Sequence, residues 1–233
     1  MLEFRVVDTL IGAGLATLGN AFLWPSWEYR SIPQQLAASL KANQRYLEEV
    51  RLFYEDRGRV PVTYKYSRKE AFLAMGNLHA AFQRMAQEPA SKQKDLPEVY
   101  EMVSLLQELL SSTASLGSFI RTHNITRASV HFTQLANAIQ TRLSNTILLL
   151  EGRSPEAEVD EAKVEAAQEY FSNMLQELLE KRQQELRENK EDSALPQRIQ
   201  EAQLVMDQLG WLLEISQRLQ HLVGKLWGGG RAL

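Results

Sequence analysis

Apolar residues fall into two patterns along this chain. From Val6 to Trp24 they run almost unbroken, VVDTLIGAGLATLGNAFLW, with Asp8 as the charge inside the run. From Ile32 onward they recur at spacings of three and four among Gln, Glu, Lys and Arg, the pattern of helices that cover one face. At about 1.5 Å per residue the first run reaches about 28 Å, close to the ~30 Å hydrocarbon core of a bilayer, so it is expected to cross a membrane once. The alternatives are a helix buried in a soluble core and a signal peptide. A signal peptide needs a small-residue cleavage site, whereas the run ends in the bulky Leu23-Trp24-Pro25-Ser26-Trp27.

The interior of the run is small-sided. Gly12, Ala16 and Gly19 would let another helix backbone approach closely, as packing in lipid requires. Trp24, Trp27 and Tyr29 gather where the run ends and are expected to anchor at a headgroup boundary; aromatic caps on a soluble core are the alternative. Arg5 and Asp8, three apart, occupy neighbouring positions on one helical face. They are candidates either for a solute path or gate at the membrane face, or for a structural ion pair and helix cap. Arg30, Lys41 and Arg45 outnumber Arg5 across the run, which favours a cytoplasmic carboxy-terminal domain.

The second pattern predicts an all-α domain over 31–233, after a membrane and interfacial segment over 1–30. Helices are expected at about 32–56, opened by Ile32-Pro33 and ended by Gly58, and at 63–85, with Phe72, Met75, Leu78, Phe82 and Met85 as its apolar stripe. Asp95 should cap a third helix that opens at Leu96-Pro97 and reaches Arg121. A fourth should span 126–150 and stop near Gly152. A long hairpin is expected at about 159–227, its first arm carrying Val164, Ala167, Phe171, Met174, Leu175 and Leu178. The charged stretch Glu180 to Asp192 reads as the hairpin's solvated end, with a partner-binding face as the other reading. Short connections between long helices predict antiparallel bundle packing.

Composition narrows the chemistry. Lys and Arg total 26 against 29 Asp and Glu in 233 residues, and the net charge of −3 offers no basic field for nucleic acid. With no cysteine there is no thiol nucleophile, thiolate metal site or disulfide. Of the histidines, His123 and His131 are poorly spaced for a metal, and His79 follows Leu78 at a core edge. No phosphate-binding loop, dinucleotide fingerprint or nucleophile elbow is present, so the reading is a non-enzyme without cofactor or metal.

Arg5-Val6-Val7-Asp8-Thr9-Leu10-Ile11-Gly12 resembles the R-x-x-D-T-x-x-G signature that opens a transmembrane helix in the fusaric acid resistance (FUSC) family, and Pro25-Ser26-Trp27 resembles the P-x-W that follows it. Tyr46-Leu47-Glu48-Glu49-Val50, Arg68-Lys69 and Glu88-Pro89 resemble, in order, the helical domain after that family's membrane bundle. The resemblance implies a bacterial inner-membrane protein with several spanning helices, some of whose relatives are linked to efflux of fusaric or other aromatic carboxylic acids. On that reading this chain is its carboxy-terminal part, with the helical domain in the cytoplasm. The partners implied are the lipid bilayer, further spanning helices from a preceding part or other subunits, and copies of itself. The competing function is a membrane-tethered helical scaffold that binds proteins without transport.

Overall fold

The computed structural model describes residues 2–22, 28–55, 60–122, 129–188 and 194–228. Among them it contains seven α-helices, one short 3-10 turn (Glu28–Arg30) and no strand. The helices are α1 (Leu2–Phe22), α2 (Ile32–Glu55), α3 (Val62–Ala86), α4 (Leu96–Thr122), α5 (Val130–Leu150), α6 (Glu161–Glu188) and α7 (Leu195–Trp227). The all-helical class expected from the sequence is thus the observed one. Most helix ends fall within a few residues of their expected positions, because proline and glycine punctuate them.

Local chemistry sets several ends. Ser129 caps α5, its hydroxyl accepting from the Phe132 N–H at 3.2 Å. At the other end Gly152 takes φ 72°, so that its N–H and that of Arg153 reach back to the Leu149 and Leu148 carbonyls at 3.1 and 2.8 Å. That is a Schellman ending, open to glycine because a left-handed residue there meets no Cβ penalty. Pro196 lies in the first turn of α7, where its missing N–H costs nothing. Asp95 behaves differently from the cap expected of it. It adopts φ 51°, and its carboxylate accepts from the Tyr29 hydroxyl at 3.1 Å. A capping side chain needs an extended backbone at that residue, so here the aspartate ties the chain before α2 to the start of α4.

Helices α2 to α5 pack antiparallel. Arg84 near the end of α3 pairs with Glu28 just before α2, and Lys41 early in α2 pairs with Glu151 after α5. At the opposite end Tyr54 of α2 meets Phe132 of α5 edge-on, ring centres 4.4 Å apart. In the middle, α2 and α4 touch and α7 closes over α4 and α5. Helices α3 and α6 form opposite edges, α3 packing on α2 and α4, and α6 on α5 and α7. One continuous core runs through this arrangement, centred on Leu36, Leu40, Tyr46, Leu78, Leu106, Leu109 and Phe132.

Two expected stripes are corrected. On α3 the expected Met75, Leu78 and Met85 are buried and Phe82 is half-buried against the core, while Phe72 is 48% exposed. The covered face also takes in Tyr64, Ser67, Ala71 and Ala81, small residues among them letting α3 lie against α2. On α6 only Val164, Ala167 and Phe171 are buried, and Met174, Leu175 and Leu178 are half-covered. The charged continuation from Glu180 to Glu188 is mostly exposed, as a solvated hairpin end should be; the expected tip beyond Glu188 lies outside the described residues until Ala194.

The linker between α5 and α6 is held by polar groups that no local pattern announced. Asn145 donates to the Ala157 carbonyl at 2.7 Å and accepts from the Glu156 N–H at 3.3 Å. Arg142, whose side chain is 7% exposed, donates to both carboxylate oxygens of Glu161 at 2.6 and 2.7 Å. Glu161 also opens α6, where a negative charge favours the helix amino terminus. Glu161→Ala is expected to cost about 1–2 kcal/mol, because it leaves a buried guanidinium short of acceptors while water can still reach the carboxylate side of the pair. The measurement is the denaturant midpoint, and Glu161→Gln should lose less than Glu161→Ala.

Candidate functional site

Among the described residues α1 makes no contact with another helix, and its bulky side chains are open: Leu10 is 68%, Leu15 65%, Ile11 56% and Val6 52% exposed. A water-soluble surface does not carry that much contiguous apolar area without something to cover it. Two of its hydroxyls bond back onto the helix itself. The hydroxyls of Thr9 and Thr17 donate to the Arg5 and Ala13 carbonyls, each at 2.7 Å, so neither demands a partner from its surroundings.

Helical geometry sorts α1 into two faces. Successive residues turn by about 100°, which brings Arg5, Asp8, Gly12, Ala16 and Gly19 onto one narrow arc. Val6, Leu10, Ile11 and Leu18 occupy the rest of the circumference, and Leu15 borders the arc beside Asp8 and Gly19. The continuous helix thus unites the polar pair and the small residues. A methyl built on Gly12 meets nothing within 4 Å, so that face is an open shallow groove. No ion pair joins Arg5 to Asp8, and both are exposed.

Among the described residues no helix is long and apolar enough to cross a membrane. Leu23 and Trp24, which completed the expected run, and Trp27, the second interfacial anchor, lie outside the described residues, as do Gly58 and His123.

Past that gap the chain is fastened to the bundle by a joint at Glu28 to Ser31. Glu28 accepts from Arg84 Nε at 2.6 Å and from the Ser31 hydroxyl at 2.8 Å, while its own N–H donates to Glu88 at 2.7 Å. The Arg84 hydrogen bond, aided by Ser31, holds the Glu28 carboxyl below the ordinary glutamate range against a smaller opposing effect of burial. The stabilisation is therefore complete above the ordinary glutamate titration and is lost as the pH falls through that lowered value. Tyr29, expected as an interfacial anchor, is instead half-buried, with Lys94 Nζ 5.8 Å from its ring centre and its hydroxyl on Asp95. These partners are 56 to 66 residues apart, so no local sequence signal could have paired them.

A second concavity of about 180 Å³ lies at the far end of the bundle, lined by Tyr54, Tyr170, Phe171, Met174, Arg198 and Glu201 among others. His131 stacks on Tyr170 beside it, ring centres 4.0 Å apart, and His79 sits at a core edge within 3.3 Å of Gln107. Among the described residues no cluster of His, Asp or Glu could hold a metal ion.

No family model matches the chain, and no solved structure does. Curated relatives do. The chain is 24% identical over 219 residues to inner membrane protein YccS of Escherichia coli strain K12, a match covering 94% of this chain and 27% of that protein. It is 24% identical over 115 residues, 49% of the chain and 16% of the relative, to an uncharacterized protein of Haemophilus influenzae. It is 31% identical over 91 residues, 38% of the chain and 22% of the relative, to uncharacterized protein ORF2 of Neisseria gonorrhoeae. The chain thus spans about a quarter of the length of YccS, and the likeness over nearly all of its own residues supports the YccS-like, FUSC-type resemblance that its motifs carry.

Proposed function

We propose that this chain is the carboxy-terminal portion of a YccS-like bacterial inner-membrane protein, in which the segment from Val6 to Trp24 is a spanning helix and residues 31–233 form a cytoplasmic helical domain. The carrying observation is α1 itself, whose apolar side chains are exposed and which contacts no other helix among the described residues. Lipid would cover the face of Leu10 and Leu18, and further spanning helices would fill the face of Gly12, Ala16 and Gly19. Arg5 and Asp8 share that second face, so they would meet protein rather than acyl chains, as polar groups in a membrane helix do. One helix encloses no solute path, and the proposed role in efflux of aromatic or other organic acids therefore belongs to the assembled protein. Within it the bundle regulates or oligomerises the membrane part and performs no catalysis.

A YccS-like match over 94% of the chain favours this reading over a bare tether. The test is extraction from bacterial membranes. The chain is expected to stay in the pellet through alkaline carbonate and to leave it in detergent. Release by carbonate alone would assign α1 to a protein surface instead.

A further inference from the structure

The outer face of α3 carries a second unpartnered apolar surface. As an edge helix it packs on α2 and α4 and on the turn before α2, and among the described residues no helix covers the side away from them. Val62, Tyr66, Lys69, Leu73, Gly76 and Ala80 are all exposed along that side, at alternating spacings of four and three. That is the spacing of a helix-packing seam. Val62 is 80%, Tyr66 68%, Leu73 59% and Phe72, beside the seam, 48% exposed. An ordinary solvent-facing helix would place polar residues at these positions.

We propose that this face is the contact between two copies of the chain, with α3 packed antiparallel on its counterpart about a twofold axis level with Ala71. The seam is complementary to itself only in that arrangement. Reversed about Ala71, Tyr66 meets Gly76, Val62 meets Ala80, and Lys69 meets Leu73. Large residues of one half thus fall on small residues of the other, and a methyl built on Gly76 has nothing within 4 Å in the single chain. The lysine stem lies along Leu73 while its ammonium reaches water. A parallel pairing would set Tyr66 on Tyr66 and Lys69 on Lys69. Antiparallel pairing about a twofold is also the closed, isologous arrangement that a self-complementary patch makes.

The area is sufficient. The exposed parts of Val62, Tyr66, Phe72 and Leu73 amount to about 500 Å² per copy, so a pair would bury ~1,000 Å² from these side chains alone, the least a specific interface needs. The face is independent of the membrane reading, because α3 and α1 do not touch.

The test uses the full chain in detergent, and two variants: Tyr66→Glu with Leu73→Glu on α3, and Leu10→Glu with Leu15→Glu on α1. Sedimentation should give twice the chain mass for the parent and for the α1 variant, and the single mass for the α3 variant with unchanged helical circular dichroism. Because the chain has no cysteine, Leu73→Cys can be cross-linked selectively by a short bismaleimide, and Tyr170→Cys on α6 should not be. A parent of single mass, or an α3 variant that keeps the double mass, would overturn the proposal. A parent of single mass that binds phosphatidylglycerol vesicles through Lys65, Arg68 and Lys69 would overturn it in favour of a lipid surface. A dimer lost only in the α1 variant would place the contact in α1 and overturn it too.

Discussion

Gly117→Ala is expected to destabilise the bundle by about 1–3 kcal/mol, although alanine is the better helix former by about 1 kcal/mol. Gly117 is buried within α4, and a methyl there would fall 2.6 Å from the Tyr64 hydroxyl oxygen and 3.1 Å from a Val50 methyl. Tyr64 has little room to yield. It is 3% exposed, with its ring 5.6 Å from that of Tyr46 and 5.8 Å from that of Phe53. Its hydroxyl lies 3.4 Å from that of Tyr46, whose phenol burial pushes above the ordinary tyrosine range and keeps neutral. Tyr64→Phe removes the atom nearest the new methyl. In a double-mutant cycle of thermal unfolding, Gly117→Ala with Tyr64→Phe should therefore cost less than the sum of the two. Additive costs would mean that the clash is absorbed by Val50 and the backbone of α4.

Leu10→Arg with Leu15→Arg should remove the chain from carbonate-washed membranes. Each arginine near the centre of a spanning helix costs about 3 kcal/mol relative to leucine, so the pair shifts insertion by ~6 kcal/mol, or about 10⁴ in partition. Both leucines are exposed, and α1 contacts no other helix among the described residues, so the bundle should keep its unfolding transition. The small-residue face gives the contrast. Gly12→Leu with Ala16→Leu adds apolar surface and should leave membrane retention intact, while closing the groove through which another helix would pack. Retention of the double-arginine variant would mean that the bundle, and not α1, holds the chain to membranes.

Much of the architecture was legible because breakers and caps are local. Pro33, Pro97, Gly152 and Pro196 mark helix boundaries by chemistry that acts within a turn, and the structure follows them closely. Periodicity is less informative where a helix has two apolar faces. On α3 the expected stripe is covered at Met75, Leu78, Phe82 and Met85, yet Phe72 faces solvent and Ala71 and Ala81 lie against the core beside them. The second apolar face was invisible until the first was known. Asp95 misled for a related reason: its position before Leu96-Pro97 is a capping position in one dimension, while Tyr29 claims its carboxylate in three. The Glu28 joint and the Arg142–Glu161 pair depend on partners brought together only by the fold. On α1 the residues themselves were legible, and what the helix added was their sharing of one face.

The uneven burial of α6 divides the molecule by the ease with which its parts come loose. Phe171 is the last fully buried residue on that helix, and Leu179 and Leu186 farther on face solvent. The second half therefore has little apolar area to lose on opening and can fray while α4 and the core stay intact. Reshaping that half of α6, or docking it against something else, would cost little free energy.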